Sequence, residues 1–311
     1  MEIKVLDGKN CIGGNKILVK SKNRNSFLLD FGKNFNEFGR FFDEFLGPRS
    51  ASGLYDLWKL NLLPKIRNIY RSDFIIDDFL AKDVETNTLE DVNVIGVFLS
   101  HAHFDHSGLI PVLNENIVIH MSSISEKILQ AKEITSPDLL NEYTRIKKRI
   151  KFQEPGFDEL VIMGVRGKSR EIVQRKIKRI GEDGDYKIGV FYDTDGIKFA
   201  SYKVDHSIFG ALAYLFEIDG VKIAYTGDIR FHGRNKKYSN DFIEKAKEFK
   251  PDVLIVEGTR INVDKDERTE DDVKQIALEV VKKFDGKVVI ADFGVRNIER
   301  MLSFLEIAKE T

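Results

Sequence analysis

At 311 residues, the chain is long enough for one large domain or two smaller ones, and 42% hydrophobic with 32% charged residues is a globular composition. Its formal net charge of −1 excludes a chain-wide field for polyanions, so any nucleic-acid surface has to be local. The single cysteine, Cys11, excludes an internal disulfide framework, and no run reaches the apolar length of a membrane span or a signal peptide, so we expect a cytoplasmic protein that avoids membranes.

In chain order, Ile3–Leu6, Lys16–Lys20 and Ser26–Asp30 are short β-branched or aromatic runs between Gly- and Asn-rich turns, and they predict strands. Phe35–Arg71 is aromatic and broken by Gly47-Pro48 and Leu63-Pro64, which predicts a long loop with short helices. Val94–Ser100 is a nearly unbroken apolar run, as in a strand covered on both faces. A short helix at Gly108–Leu113 and a strand at Ile117–His120 follow. Residues 123–180 carry 14 Lys and Arg against 8 Asp and Glu and predict a charged, mostly helical insertion. Ile188–Tyr192 and Ile197–Val204 flank Asp193-Thr194-Asp195-Gly196, and Leu212–Ile218 and Val221–Tyr225 flank Asp219-Gly220, both hairpin signals. Beyond them helices are expected at Asn240–Phe249, Asp271–Phe284 and Val295–Lys309, with strands at Val253–Val256 and Val288–Ala291. That alternation implies a parallel sheet.

Three of the six histidines fall within His101-Ala102-His103-Phe104-Asp105-His106. On an extended backbone His101 and His103 share a side and can grip one metal, and the turn into the next helix aims Asp105 and His106 at a second position. Imidazole and carboxylate donors suit zinc or a similar divalent ion. His206 follows a predicted strand and can complete the first site. Asp228, in Thr226-Gly227-Asp228, sits at a strand end from which its carboxylate can bridge two ions. The expected chemistry is hydrolysis by a metal-activated water, with Asp105 as ligand and proton acceptor and Asp228 as the other catalytic carboxylate.

The order HxHxDH, then His206, then Thr-Gly-Asp resembles the metallo-β-lactamase superfamily, whose first motif is similar to Ser26–Gly32. The resemblance implies an α/β fold, a four-layer αββα sandwich with metals at the edge between its sheets, and a role for Asp30 in orienting the ligand segment. Val253–Thr259, Asp266–Glu279, Val288–Asn297 and Arg300 resemble the opening of the β-CASP cap carried by RNA-processing branches of that superfamily, the ribonuclease J and pre-mRNA 3′-end endonuclease families. Glu257 matches the first motif of that cap. Residues 1–257 would form the metallo-β-lactamase domain and 258–311 an incomplete start of the cap. Later cap motifs would lie beyond Thr311, so the second of two Zn²⁺ sites is expected to be incomplete. The chain is then expected to need a missing C-terminal segment or to form a homo-oligomer through apolar surface near Val288–Phe293.

Ser207, Arg230, His232 and Arg234 are the candidate substrate contacts, since guanidinium groups fit phosphate in bidentate geometry. The basic run Lys168–Arg179 is a candidate track for a nucleic-acid backbone, with a solvated charged face as the alternative. His120, at the end of a strand, reads as structural. Three function classes stay open at this level. They are a zinc phosphodiesterase acting on RNA or other single-stranded nucleic acid, a small-substrate metallo-hydrolase of thioester or lactam type, and a metal-binding scaffold without turnover.

Overall fold

The computed structural model describes the chain apart from residues 24, 43–45, 50–51, 76–77, 89, 91, 137, 154–160, 165–170, 260, 262–267 and 295. It is a mixed α/β chain in two compact units: Met1–Leu99, His103–Met121 and Glu126–Arg179 form the first, and Ser100–Ala102, Ser122–Ser125 and Ile180–Thr311 the second.

In the first unit, β1 (Glu2–Asp7), β2 (Lys16–Lys20) and β3 (Asn25–Leu29) pair antiparallel. Helices α1 (Phe35–Gly39), α2 (Tyr55–Lys59) and α3 (Asp78–Thr86) follow in the long connection. β4 (Asn93–Phe98) then joins β3 in parallel, and after α4 (Phe104–Ser107), β5 (Val118–Ser122) joins β4 in parallel. Buried Leu18, Val19, Phe27, Leu28, Leu29, Val97, Phe98 and Ile119 come from the four central strands. The parallel strands read as unbroken apolar runs because both of their faces are covered. His120 is buried and its ring stacks on Phe98 at 4.3 Å, which supports its structural reading.

The connection around α2 is anchored by polar groups inside it. The Trp58 indole N–H donates to Asp83 Oδ2 at 2.9 Å, and the Lys65 ammonium lies 3.5 Å from the centre of the Trp58 ring. Burial pulls the Lys65 pKa down to about 8. Fully buried Arg71 donates to Asp73 and to Glu142, each at 2.7 Å, so its charge is compensated on two sides.

The insertion departs from expectation. Only α5 (Ser123–Thr135) is an extended helix; the rest is β6 (Arg145–Lys147), β7 (Ile150–Gln153), β8 (Val161–Gly164), β9 (Ile172–Gln174) and β10 (Ile177–Ile180). β6 pairs with β9 and β7 with β8, and β10 flanks β5 at the edge of the large sheet, in the order β1-β2-β3-β4-β5-β10. Basic residues alternating with Ile, Val and Phe favour a pleated, half-exposed ribbon over a helix. Residues 168–170 of the basic run lie outside the described residues. In its remainder, Arg175 is buried and donates to the Leu113 carbonyl, Lys176 donates to Asn116, and Arg179 pairs with Glu126. These cations are held by the protein itself, which argues against a nucleic-acid track there.

The second unit holds β11 (Tyr192–Thr194), β12 (Ile197–Lys203), β13 (Leu212–Ile218) and β14 (Val221–Tyr225), all antiparallel neighbours. Both hairpins turn on an Asp-Gly pair with positive φ, Asp195 53° with Gly196 83° and Asp219 54° with Gly220 79°, the type I′ geometry that matches strand twist. The first hairpin is tighter than expected, since β11 starts at Tyr192. Helix α6 (Lys236–Phe249) leads to β15 (Val253–Ile255), which pairs with β14 in parallel. Its Phe242 packs on Val204, Ala211, Ala213, Leu215 and Ala224. Helices α7 (Glu270–Lys283) and α8 (Ile298–Glu310) are joined by the Arg300–Glu270 ion pair, and α7 opens with a Thr269/Asp272 capping box.

The strand expected at Val288–Ala291 does not form. A strand needs a neighbour to take its backbone groups, and this segment has none among the described residues. Val288 and Ile290 are 91% and 87% exposed, as the expectation of apolar surface there requires. Among the described residues no helix is long and apolar enough to cross a membrane.

Candidate metal centre

The six-residue histidine segment leaves β4 and ends in α4, so it passes from residues of the second unit (Ser100–Ala102) to residues of the first (from His103). In the first unit it is held by its main chain. The Asn15 N–H donates to the Asp105 carbonyl at 3.0 Å, Phe31 N–H to the His106 carbonyl at 2.8 Å and Lys33 N–H to the Phe104 carbonyl at 2.8 Å. Buried Lys16 ties the flanks together by donating to the carbonyls of Gly14 and Gly32, with Asp7 as counter-ion at 3.0 Å. Burial holds the Lys16 pKa below its ordinary value, with Asp7 opposing. Gly32 is required by this closeness, because a Cβ there would stand 1.5 Å from the Asp105 carbonyl oxygen.

The side chains follow from that frame. Asp30, just past β3 with φ 57°, is buried, and its Oδ2 accepts from His106 Nδ1 at 2.6 Å. This bond places the imidazole proton on Nδ1, which makes Nε2 the acceptor nitrogen of the ring. His106 Nε2 lies 3.6 Å from Asp105 Oδ2 and 3.0 Å from the Asn15 side-chain amide, which donates to it. Asn15 is a site residue that sequence reasoning missed; its one signal was the Gly13-Gly14 pair before it. Both glycines have positive φ, and Gly13 packs against the Asp105 side chain.

The Asp30–His106 bond makes a testable contribution. Asn tolerates the left-handed backbone of Asp30, so Asp30→Asn keeps the turn and removes only the carboxylate. With His106 as a ligand, affinity for a divalent ion such as zinc is expected to fall about 10- to 100-fold, the usual cost of losing the partner of a ligating histidine. Competition against a chromophoric chelator measures this, and an unchanged affinity would show that the bond does not orient His106.

In the second unit, buried His101 faces His206 edge-on, with ring centroids 4.6 Å apart. Their Nε2 atoms lie 3.9 Å and 3.5 Å from one oxygen, Asp228 Oδ2. Two donors about 2.1 Å from a shared tetrahedral ion stand ~3.4 Å apart, so the trio fits a divalent cation in donor type and in spacing. In the first unit, half-buried His103 stands at the N-terminus of α4, and its carbonyl accepts from the Ser107 hydroxyl at 2.8 Å.

The loops bearing His206 and Asp228 are fixed from behind. Ser239 Oγ accepts from Asp205 N–H at 2.9 Å, the Arg230 N–H donates to the Asp205 carbonyl at 2.9 Å, and Glu257 Oε1 accepts from Ile229 N–H at 2.8 Å. Gly227 gives close passage, since a Cβ there would be 2.6 Å from Ser100 Cβ. The Arg296 guanidinium donates to the Ala102 carbonyl at 2.5 Å, a contact with no local sequence signal.

The arginines expected to touch phosphate meet carboxylates instead. Arg230 donates to Asp205 at 3.1 Å and to Glu299, with Glu270 3.7 Å away. Arg234 donates to Ser303 at 3.2 Å, with Asp271 at 3.5 Å. Burial raises the Asp205 and Glu299 carboxyl pKa values, with Arg230 opposing. At Glu270 burial is the largest influence and pushes upward, but the Arg300 bond together with the charges of Arg300, Arg230 and Arg234 outweighs it and the pKa is lowered. The Arg230 guanidinium, surrounded this way, fixes loops and has few donors left for substrate, whereas Arg234 keeps 31% of its side chain exposed. Ser207 and His232 are both half-buried, and His232 lies near enough to Asp205 to favour its ionised form.

No family model matches the chain. The curated proteins it resembles include the endoribonuclease YSH1 of Candida albicans, 26% identical over 226 residues, covering 70% of this chain and 24% of that protein. Cleavage and polyadenylation specificity factor 73 of Drosophila melanogaster is 25% identical over 215 residues, covering 68% of this chain and 28% of that protein. An RNase J-like protein of Methanocaldococcus jannaschii is 26% identical over 235 residues, covering 73% and 47% respectively. The chain thus spans less than half the length of each. Among solved structures, a protein of unknown function from Enterococcus faecalis V583 superposes with TM-score 0.68 at 24% identity, covering 98% of this chain and 62% of that one.

Proposed function

We propose that this chain, a distant homologue of the YSH1, cleavage-factor and RNase J-like proteins, is the metal-binding part of a phosphodiesterase of the metallo-β-lactamase superfamily, β-CASP branch, acting on single-stranded RNA. The observation that carries the reading is the convergence of His101 Nε2 and His206 Nε2 on Asp228 Oδ2. Residues 1–257 are assigned to the hydrolase domain and 258–311 to the start of the cap. The metal is assigned as zinc. His101, His103, His206 and Asp228 would hold one ion, and Asp105, His106 and Asp228 a second whose remaining ligand lies elsewhere.

Bound there, such ions would acidify a water and neutralise charge on the phosphate. The chain's own contributions follow from its contacts. Asp30 keeps the His106 proton on Nδ1. Asp105, only partly buried beside His106, is placed to accept a proton from the attacking water. Glu257 fixes the backbone after Asp228, which keeps that carboxylate turned toward both histidines. Arg230 holds the loops of His206 and Asp228 together through Asp205. Ser207 and His232 are left as the residues of this region to contact the phosphate.

The reading is tested with an end-labelled single-stranded RNA and the chain stripped of metal by chelation. No cleavage is expected until zinc is restored, and fragments should then appear above the metal-free blank. A chain that takes up no zinc at the proposed ligands, or cleavage indifferent to chelation, would refute it.

A further inference from the structure

The second unit has a cavity of about 530 Å³ that the metal centre does not use, lined in part by Lys187, Tyr202, Lys203, Tyr238 and Asp241. That volume is in the range of sites for small organic ligands. The cavity is built on rigid parts. Lys203 ends β12, Tyr238 and Asp241 lie in the first two turns of α6, and the Phe242 beside them is a core residue. The Lys187 segment is pinned to β12 by Gly189 N–H donating to the Ser201 carbonyl at 2.8 Å, and the Lys187 N–H donates to the Tyr192 hydroxyl at 3.0 Å.

Its chemistry is mixed in a way that selects among ligands. Tyr238 is 40% exposed, and the Lys203 ammonium lies 5.6 Å from its ring centre. The lining also has two lysines against two carboxylates, Asp241 and Glu182. This balance does not favour a bare anion such as inorganic phosphate. It does suit a ligand with an aromatic face, an anionic group and an amino-group donor together, which describes a nucleotide whose base carries an exocyclic amine. Lys203 precedes His206 by three residues, at most ~11 Å of extended backbone, so one strand can reach both places.

We propose that this cavity is a nucleotide subsite for the substrate strand, taking a base of single-stranded RNA on the Tyr238 ring and its phosphate on Lys203 and Lys187. The assignment of that strand as substrate rests on the phosphodiesterase reading; the subsite itself does not. The probe is a fluorescein-labelled, ten-nucleotide phosphorothioate oligocytidylate, titrated by anisotropy against the zinc-loaded full chain. Tyr238→Ala and Lys203→Glu should each raise Kd about tenfold, the scale of losing one stacked base or one phosphate contact, while Tyr238→Phe binds like wild type. Hydrolysis of bis(4-nitrophenyl) phosphate, too small to span both places, should be equal in Tyr238→Ala and wild type. An oligocytidylate Kd unchanged by Tyr238→Ala, a Tyr238→Phe variant as weak as Tyr238→Ala, or no binding by wild type would each overturn the subsite. Tyr238-dependent binding in a chain that takes up no zinc would overturn the hydrolase reading and leave the subsite standing.

Discussion

Asp105→Ala and His206→Ala should each lower kcat for phosphodiester hydrolysis by about 10³-fold or more while leaving the fold intact. The size follows from the several kcal/mol that charge neutralisation at a metal centre contributes, at about 1.4 kcal/mol per tenfold in rate. The fold should survive because the structural bond at position 105 is made by the main chain, whose carbonyl accepts from Asn15 N–H. His206 likewise sits on a loop fixed through the main chain of Asp205. Circular dichroism and the urea midpoint would establish folding, and zinc per chain would establish the ligand loss. A folded Asp105→Ala protein turning over within a few-fold of wild type would end the assignment of that carboxylate.

Among the described glycines, Gly32→Ala is expected to be the most damaging substitution by alanine. The added carbon would fall 1.5 Å from the Asp105 carbonyl oxygen, 2.2 Å from its carbon and 2.7 Å from the His106 nitrogen, all main-chain atoms that cannot rotate away. Relief requires separating residues 30–33 from 104–106. That would weaken the Lys33–Phe104 bond and the Lys16 bond to the Gly32 carbonyl. A loss of about 3 kcal/mol or more is expected, at or above the upper end of over-packing, together with weaker zinc binding. Gly47→Ala, with open space around the glycine, serves as the neutral control. Equal urea midpoints for the two variants would show that the approach of these backbones is looser than described.

The parts legible in the sequence were those whose cause is local. Asp195-Gly196 and Asp219-Gly220 fix their hairpins because only a few residue types accept two successive left-handed conformations. The histidine segment was legible because few structures need three imidazoles and a carboxylate within six residues. What escaped depends on distant partners. Gly32 matters because of an atom more than 70 positions away, and Arg230 is claimed by Glu270 and Glu299, 40 and 69 positions on. In the basic insertion the composition points to helix, but lysine and arginine suit exposed helices and exposed ribbons alike. Its Ile-Lys and Val-Gln alternation in β9 and β10 was the better guide. Val288–Ala291 has a strand's composition, but pairing is a property of two segments and cannot be read from one.

The frame around the histidine segment grips the carbonyls of residues 104–106, and at 104 and 105 these bonds do not depend on the side chain. Position 105 is recognised by its oxygen, position 106 by its oxygen and ring, and position 104 by its oxygen. A socket of this kind separates the inheritance of shape from the inheritance of chemistry. Substitution at 105 can therefore change the chemistry that the segment offers without unmaking the receptacle. Drift in this lineage can therefore yield well-folded, catalytically silent copies as readily as new catalysts. A designer could treat position 105 as an exchangeable contact on a fixed mount.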